Sequence, residues 1–196
     1  MLKKTCFLTA LCLLFATTLI AQSAPSATRG AVSLSAGGEV SSFNPDWGCL
    51  SSSPFACWSR HLIGIAVVVD ADHIYRRFGV EGEARWLHWG GPPGGLVQSN
   101  YLIGPRYPLF RRGNLALDAK ALVGGSWTTL TFNVGRGSYF TLAPGATVEY
   151  GIGKKLVVRG DYEYQIWPSF SGITGLPNHG LTPNGFSVGM KYRLIN

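Results

Sequence analysis

The stretch Lys154–Trp167, KKLVVRGDYEYQIW, decides how the chain is read. After its two lysines, Arg159, Asp161, Glu163 and Gln165 fall on one parity, while Leu156, Val158, Gly160, Tyr162, Tyr164 and Ile166 fall on the other. Successive side chains of a β-strand point to opposite faces, so a period of two marks a strand with one charged and one apolar face. One such strand fits a soluble sandwich as well as a membrane barrel. Its recurrence, and what lies between the copies, separates the two.

The same period predicts eight strands: Ala31–Ser42, His61–Tyr75, Gly79–Trp89, Gln98–Leu109, Asn114–Trp127, Tyr139–Gly151, Lys155–Trp167 and Gly185–Leu194. No amphipathic helix of convincing length appears, and apolar clusters recur at strand length with Gly, Pro, Ser or Asn between them in a chain of 26 glycines, which makes the class all-β. The connections alternate in kind. Three are short and dibasic, carrying Arg76 and Arg77, Arg111 and Arg112, and Lys154 and Lys155; the other four, near 43–60, 90–97, 128–138 and 168–184, are longer and rich in Gly, Pro, Ser and Asn. Short turns at one end and long loops at the other, over an even strand count, describe an antiparallel up-and-down meander, which closes into a barrel and so removes its edges. Pro105 and Pro144 lie inside predicted strands, where each removes a ladder hydrogen bond, so either bulges at Gly104–Pro105 and Pro144–Gly145 or shorter strands are expected.

Collected across the strands, the polar parity holds Glu39, Asp70, Asp72, Glu81, Glu83, Arg85, Arg106, Asp118, Lys120, Glu149, Arg159, Asp161, Glu163, Lys191 and Arg193. That is nine of the ten acidic residues, and it leaves the opposite parity nearly free of charge. A soluble barrel would turn the charges outward; a transmembrane barrel inverts the faces, with an apolar outer band and a polar lumen. Three features favour inversion. Charges of both signs lie on neighbouring strands and can pair in a narrow lumen, where an unpaired charge is costly. Trp86, Trp89, Trp127, Tyr150, Trp167 and Tyr192 gather near segment ends, as interfacial girdles require. Strands of about ten residues, tilted by roughly 45°, cover an apolar band near 25 Å.

On GVEGEARWLHW, NYLIGPRYPLF and the terminal GFSVGMKYRL, together with the alternating segments and the N-terminal leader, the chain resembles the outer-membrane β-barrel domain family of Gram-negative bacteria, in its small eight-stranded, OmpA/OmpX-like and porin-like form. The resemblance spans essentially the whole mature chain. It implies an eight-stranded transmembrane barrel located in the cell outer membrane, with outer-membrane lipid and the barrel-assembly machinery as partners. Members often end on an aromatic residue, whereas this chain ends Leu194–Ile195–Asn196.

The N-terminus reads MLKKTCFLTALCLLFATTLIAQSAPSA: two lysines, an apolar run from about Cys6 to Ile20, then small residues. That is a secretory signal peptide over residues 1–24, with cleavage within 21–27, followed by a single domain over 25–196. Its run is short for a membrane-spanning helix. Two cysteines, Cys49 and Cys57, remain in the mature chain, close together in an oxidising compartment, and a disulfide between them is expected.

The formal charge of +7 raises nucleic acid or an anionic membrane as partners. Dibasic turns on a barrel rim suit anionic headgroups, so no nucleic-acid partner is expected. His61, His73, His88 and His179 are scattered without metal-ligand spacing, so neither metal nor cofactor is expected. Ser126, Ser138, Ser169 and Ser171 stand near the long-loop end and His88 on the apolar parity there; a Ser/His pair would mark a lipid-modifying enzyme, but spacing supplies none of the geometry that nucleophilic catalysis needs. No enzyme activity is expected. Glu81, Glu83, Asp161 and Glu163 are read as ion-pair partners of Arg85, Arg106, Lys120 and Arg159, since eight strands leave an interior that side chains nearly fill. The functional expectation is a structural or surface-interaction role, with Trp47, Phe55, Trp58, Trp167 and Phe170 as loop anchors for a surface ligand. The alternatives are a small channel for ions or solutes, a lipid-modifying enzyme, and a secreted soluble barrel that binds an apolar ligand.

Overall fold

The computed structural model describes residues 32–46, 61–89, 96–129, 136–170 and 180–195. The leader, Cys49, Cys57, Trp47, Phe55, Trp58, Ser171 and His179 lie outside the described residues. The strands are β1 (Ser33–Asn44), β2 (Leu62–Tyr75), β3 (Phe78–Trp89), β4 (Leu96–Arg112), β5 (Leu115–Thr129), β6 (Arg136–Ile152), β7 (Leu156–Tyr164) and β8 (Asn184–Ile195). Each pairs antiparallel with the next, and β8 returns to β1 from Asn44↔Asn184 to Leu34↔Ile195, closing the barrel. Closure leaves no free sheet edge.

Three tight turns, the start of β1 and the end of β8 lie at one end of the barrel, and the opposite strand ends, which the long connections join in sequence, lie at the other. Arg76 and Arg77 form the β2–β3 turn, with Arg76 at φ 56°. In the second hairpin, Arg111 and Arg112 are the last residues of β4, and Gly113 and Asn114 make the turn. Gly113 (φ 58°) and Gly153 (φ 75°) supply the left-handed backbone that tight hairpins need.

Neither expected bulge occurs. The β5–β6 ladder runs unbroken through Ala121↔Pro144 and Lys120↔Gly145. Pro144 acts on the other edge of its strand. Leu142 and Ile166 exchange both backbone hydrogen bonds, at 3.0 and 2.7 Å, and two residues along that edge Pro144 has no N–H to offer. The β6–β7 ladder therefore lapses between Ile166 and Glu163, and β7 ends at Tyr164. On β4 the pairing with β5 lapses at Gly104 and Pro105, then resumes in unchanged register at Arg106↔Lys120. The bulge falls instead between Pro108 and Phe110.

The two faces are inverted relative to a soluble protein. Val40 (62 % exposed), Ile65, Ile103, Phe186 and Val188 lie on the outer surface, while Arg85, Arg159 and Glu163 lie inside at 0 %. Removing those charges from water is tolerable only because they are paired, and leaving the apolar residues outside is favourable only against lipid. Aromatic residues sit at both ends of the outer band. Toward the loops, Trp86 donates its indole N–H to the Tyr101 hydroxyl at 3.1 Å, and Tyr101 meets Trp127 edge-on at 5.4 Å. Tyr162 packs on Phe186 on the far side at 4.8 Å, and toward the turns Phe78 packs on Tyr107 at 5.0 Å.

Trp89 and Trp167 do not join these girdles. Trp89 packs against an inward cluster of Phe43, Leu62, Leu87 and Leu96, and Trp167, 1 % exposed, packs with Phe170, Leu181 and Tyr139. Both share the inward parity of Arg85 and Glu163 on their strands, a parity that outweighs their nearness to a segment end.

Candidate functional site: the charged lumen

The lumen side chains are set by strand parity and drawn together by the barrel's small radius. Five buried cations, Arg85, Arg106, Lys120, Arg159 and Lys191, meet nine carboxylates in one connected network. Toward the loops, Arg85 lies 2.8 Å from Glu83 and 2.9 Å from Glu163. Lys120 sits among four acids, at 3.0 Å from Glu81, 3.3 Å from Glu83, 2.9 Å from Asp161 and 3.2 Å from Glu163. In the middle, Arg159 reaches Glu39 and Glu81, each at 2.6 Å, and Asp70 at 3.3 Å. Toward the turns, Arg106 binds Asp70 at 2.6 Å, Glu149 at 2.8 Å, Asp72 at 3.4 Å and, more closely, Asp118. Lys191 ties Asp70 to Glu149 at 2.7 and 2.5 Å.

Shared partners knit the pairs into one body. Asp70 is held by Arg106, Arg159 and Lys191, and Glu81 by Lys120 and Arg159. Hydroxyl contacts continue the packing, with Thr147 donating to Asp161 at 2.6 Å and Ser41 against Ser187 at 2.8 Å. Glu83, Asp161 and Glu163 bring their oxygens close enough together to ligate a metal. The Lys120 ammonium and the Arg85 guanidinium already contact all three, so the protein's own cations supply the counter-charge a metal would bring.

The ionic body is joined to an apolar plug at the loop end. The Arg85 guanidinium stacks 4.2 Å over the Phe43 ring. Arg85 and Gln165 both donate to Glu163, at 2.9 and 2.7 Å, and the Trp167 indole N–H donates to Gln165 at 3.0 Å. Trp167 is pinned in the mouth by its backbone N–H donating to Leu181 at 2.8 Å and by stacking on Tyr139 at 5.6 Å. A third apolar group, Leu102, Leu122 and Ala143, occupies the inner wall of β4–β6.

Some residues lie elsewhere than the sequence suggests. Arg193 stands outside the network: its guanidinium lies 3.4 Å from the Lys154 carbonyl, because its place near the end of β8 brings it to the β6–β7 turn. Trp167 and Phe170 are turned inward, so neither is an exposed loop anchor. No Ser/His pair forms among the described residues. Ser126 faces the lumen, 2.6 Å from Thr141, whereas His88 is exposed on the outer face. Outward Ser138 lies three strands from His88, roughly 14 Å at the usual strand spacing. Inward Leu87, Leu96, Leu102 and Leu122 were missed as lumen residues; each shares the parity of charged or amide residues on its own strand, and that was the available signal.

A closed, eight-stranded antiparallel barrel with a charge-paired interior and an apolar exterior defines the class of small transmembrane β-barrels. No protein-family model matches the chain, and no curated protein matches it. Among solved structures, it is similar to Neisserial surface protein A (10% identity, 86% of this chain and 100% of that one, TM-score 0.56). The outer membrane protein OprG of Pseudomonas aeruginosa gives 13% identity over 86% of this chain and 98% of that one, with a TM-score of 0.54. The attachment invasion locus protein Ail of Yersinia pestis gives 19%, 85%, 100% and 0.48 in the same terms. At these identities the likeness is one of fold, and the chain has the fold of the small eight-stranded outer-membrane barrels.

Proposed function

We propose that the chain is a sealed barrel of the Gram-negative outer membrane, non-enzymatic, whose role is structural or lies in surface interaction. The observation that carries this reading is the interior. Among the described residues, buried ion pairs and apolar clusters occupy the lumen from the level of Lys191 to the Trp167 plug, and this filling supports a barrel that admits no permeating solute. Breaking such a network to admit an ion would leave several buried charges unpaired, at a cost of about 3–5 kcal/mol for each broken pair.

Residues 1–24 act as the leader that delivers the chain to the periplasm, and the assembly machinery inserts it with its short turns inward and long loops outward. In that orientation, Arg76, Arg77, Arg112, Lys154 and Lys155 ring the periplasmic rim, beside anionic headgroups of the inner leaflet. An external ligand would then meet the long connections, most of which lie outside the described residues.

The test is single-channel recording of the purified barrel in planar bilayers. A silent membrane at protein loads that give regular insertion of a known pore supports the sealed reading. Stable unitary current steps would instead favour a small channel.

A further inference from the structure

At the turn end the ionic body stops short of the rim, and a cavity of about 340 Å³ opens, lined by His73, Arg111, Asn114, Glu149, Lys191 and Arg193 among others. Its charges are not equally committed. Glu149 is held by Arg106 at 2.8 Å and Lys191 at 2.5 Å, Lys191 also by Asp70 at 2.7 Å, and Asp72 by Arg106 at 3.4 Å. Arg111 and Arg193 differ. The nearest carboxylate contact of Arg111 is Asp118, at 3.8 Å, beyond hydrogen-bond reach; Arg193 makes a single long hydrogen bond of 3.4 Å to the Lys154 carbonyl. Two guanidiniums, with five N–H donors each, thus line one concavity with nearly all their donors unused among the described residues.

The neutral lining completes the chemistry. Ser33, Ser35 and the Asn114 amide offer further donors, and none makes a side-chain hydrogen bond among the described residues. The wall is also shaped at a cost. The β2–β3 register shifts between Ala71 and Tyr75, and His73 within that interval takes φ 62°, a left-handed conformation that is uncommon for a residue other than glycine. The volume lies at the small end of ligand cavities, and the mouth of a β-barrel is a usual place for one.

We propose that this mouth binds a small oxyanion, a carboxylate or phosphate group, held between Arg111 and Arg193, with Asn114 and Ser35 orienting the rest of the ligand. Arginine suits this role because its planar fork matches carboxylate and phosphate geometry in a way that a lysine ammonium does not. The oxyanion has two possible sources, a free solute or a phospholipid headgroup folded over the rim. The cavity belongs to the barrel itself, so its chemistry is independent of cellular location.

The test uses the mature chain in uncharged maltoside micelles, titrated with inorganic phosphate and, separately, acetate, while the side-chain Nε–H resonances of the arginines are followed by NMR. Saturable shifts at Arg111 and Arg193 are expected, with Arg76, Arg77 and Arg112 nearly unmoved. Joint replacement R111Q and R193Q should weaken binding by about tenfold or more, as expected for losing charge-assisted contacts, while the barrel keeps its heat-modifiable gel mobility. In phosphatidylglycerol nanodiscs without added anion, the same shifts already present would identify a headgroup as the source; shifts seen only on adding phosphate would identify a free solute. Shifts that grow linearly and alike at all the rim arginines, or unchanged binding by the double variant, would overturn the proposal.

Discussion

Arg159 on β7 reaches Glu39 on β1, two strands away, with Nε 2.6 Å from Oε1. The residue between them is Gly189, which pairs with both in the sheet register. A long cation, a bare backbone and a carboxylate thus lie in one row across three strands. Arg159 also neutralises Glu81 and Asp70, so R159M should destabilise the barrel by about 3–5 kcal/mol, the usual loss when a buried charge loses its partner. Among the described residues Glu39 has Arg159 as its single salt-bridge partner, so E39Q should cost less, and the double variant should lose less than the two single losses added together. Urea unfolding in phospholipid vesicles measures all three.

Gly189 itself cannot carry a side chain without movement. A Cβ there would collide with the Gly38 carbonyl oxygen and lie 2.7 Å from the Glu39 Cγ, and the backbone oxygen cannot yield as a flexible side chain could. G189A should therefore lower stability by about 1–3 kcal/mol, in the range for overpacking. Gly160 on the outer face of β7 has open space at its Cβ position, so G160A serves as the control and should leave the urea midpoint close to that of the parent.

Val188 and Ser187 are neighbours on β8 that face opposite solvents: Val188 is 63 % exposed on the outer surface, and Ser187, at 2 %, faces the lumen. V188R should cost about 2–4 kcal/mol if that surface lies near the bilayer midplane, while V188L should be close to neutral. Folding yield into vesicles and the urea midpoint separate the two. An arginine tolerated as well as leucine would mean that Val188 faces water.

Trp167 links the apolar plug to the ionic body through Gln165. W167F keeps most of the packing and loses the indole hydrogen bond, for an expected loss of about 0.5–1.5 kcal/mol. W167A also empties the site, for about 3–5 kcal/mol. Equal losses from the two would show that the hydrogen bond, rather than the packing, holds the plug.

Much of this barrel was legible because parity is a strict geometric rule. KKLVVRGDYEYQIW and its seven companions place the strands to within a few residues, and the polar parity names the side chains that meet in the lumen. The misreadings have physical causes too. Proline removes one N–H on one edge only, so the β5–β6 ladder passes Pro144 undisturbed while the opposite edge lapses. Nearness to a strand end points Trp167 to the interface, but its odd number puts it on the side of Glu163, and it is buried. Arg193 keeps the lumen parity, but depth along the strand, which parity does not encode, brings it to the rim. Which cation meets which carboxylate across the barrel was not legible at all. Glu163 and Arg85 are 78 residues apart in the chain, and only the closure of β8 on β1 determines the bore across which they meet.

The most direct test of the central claim is cell fractionation of the expressed chain, followed by gel mobility with and without boiling. A sealed, inverted barrel should appear in the outer-membrane fraction and run at a different apparent mass before boiling than after, as a folded barrel that resists detergent. Recovery from the soluble periplasm, with no mobility shift on boiling, would contradict the account.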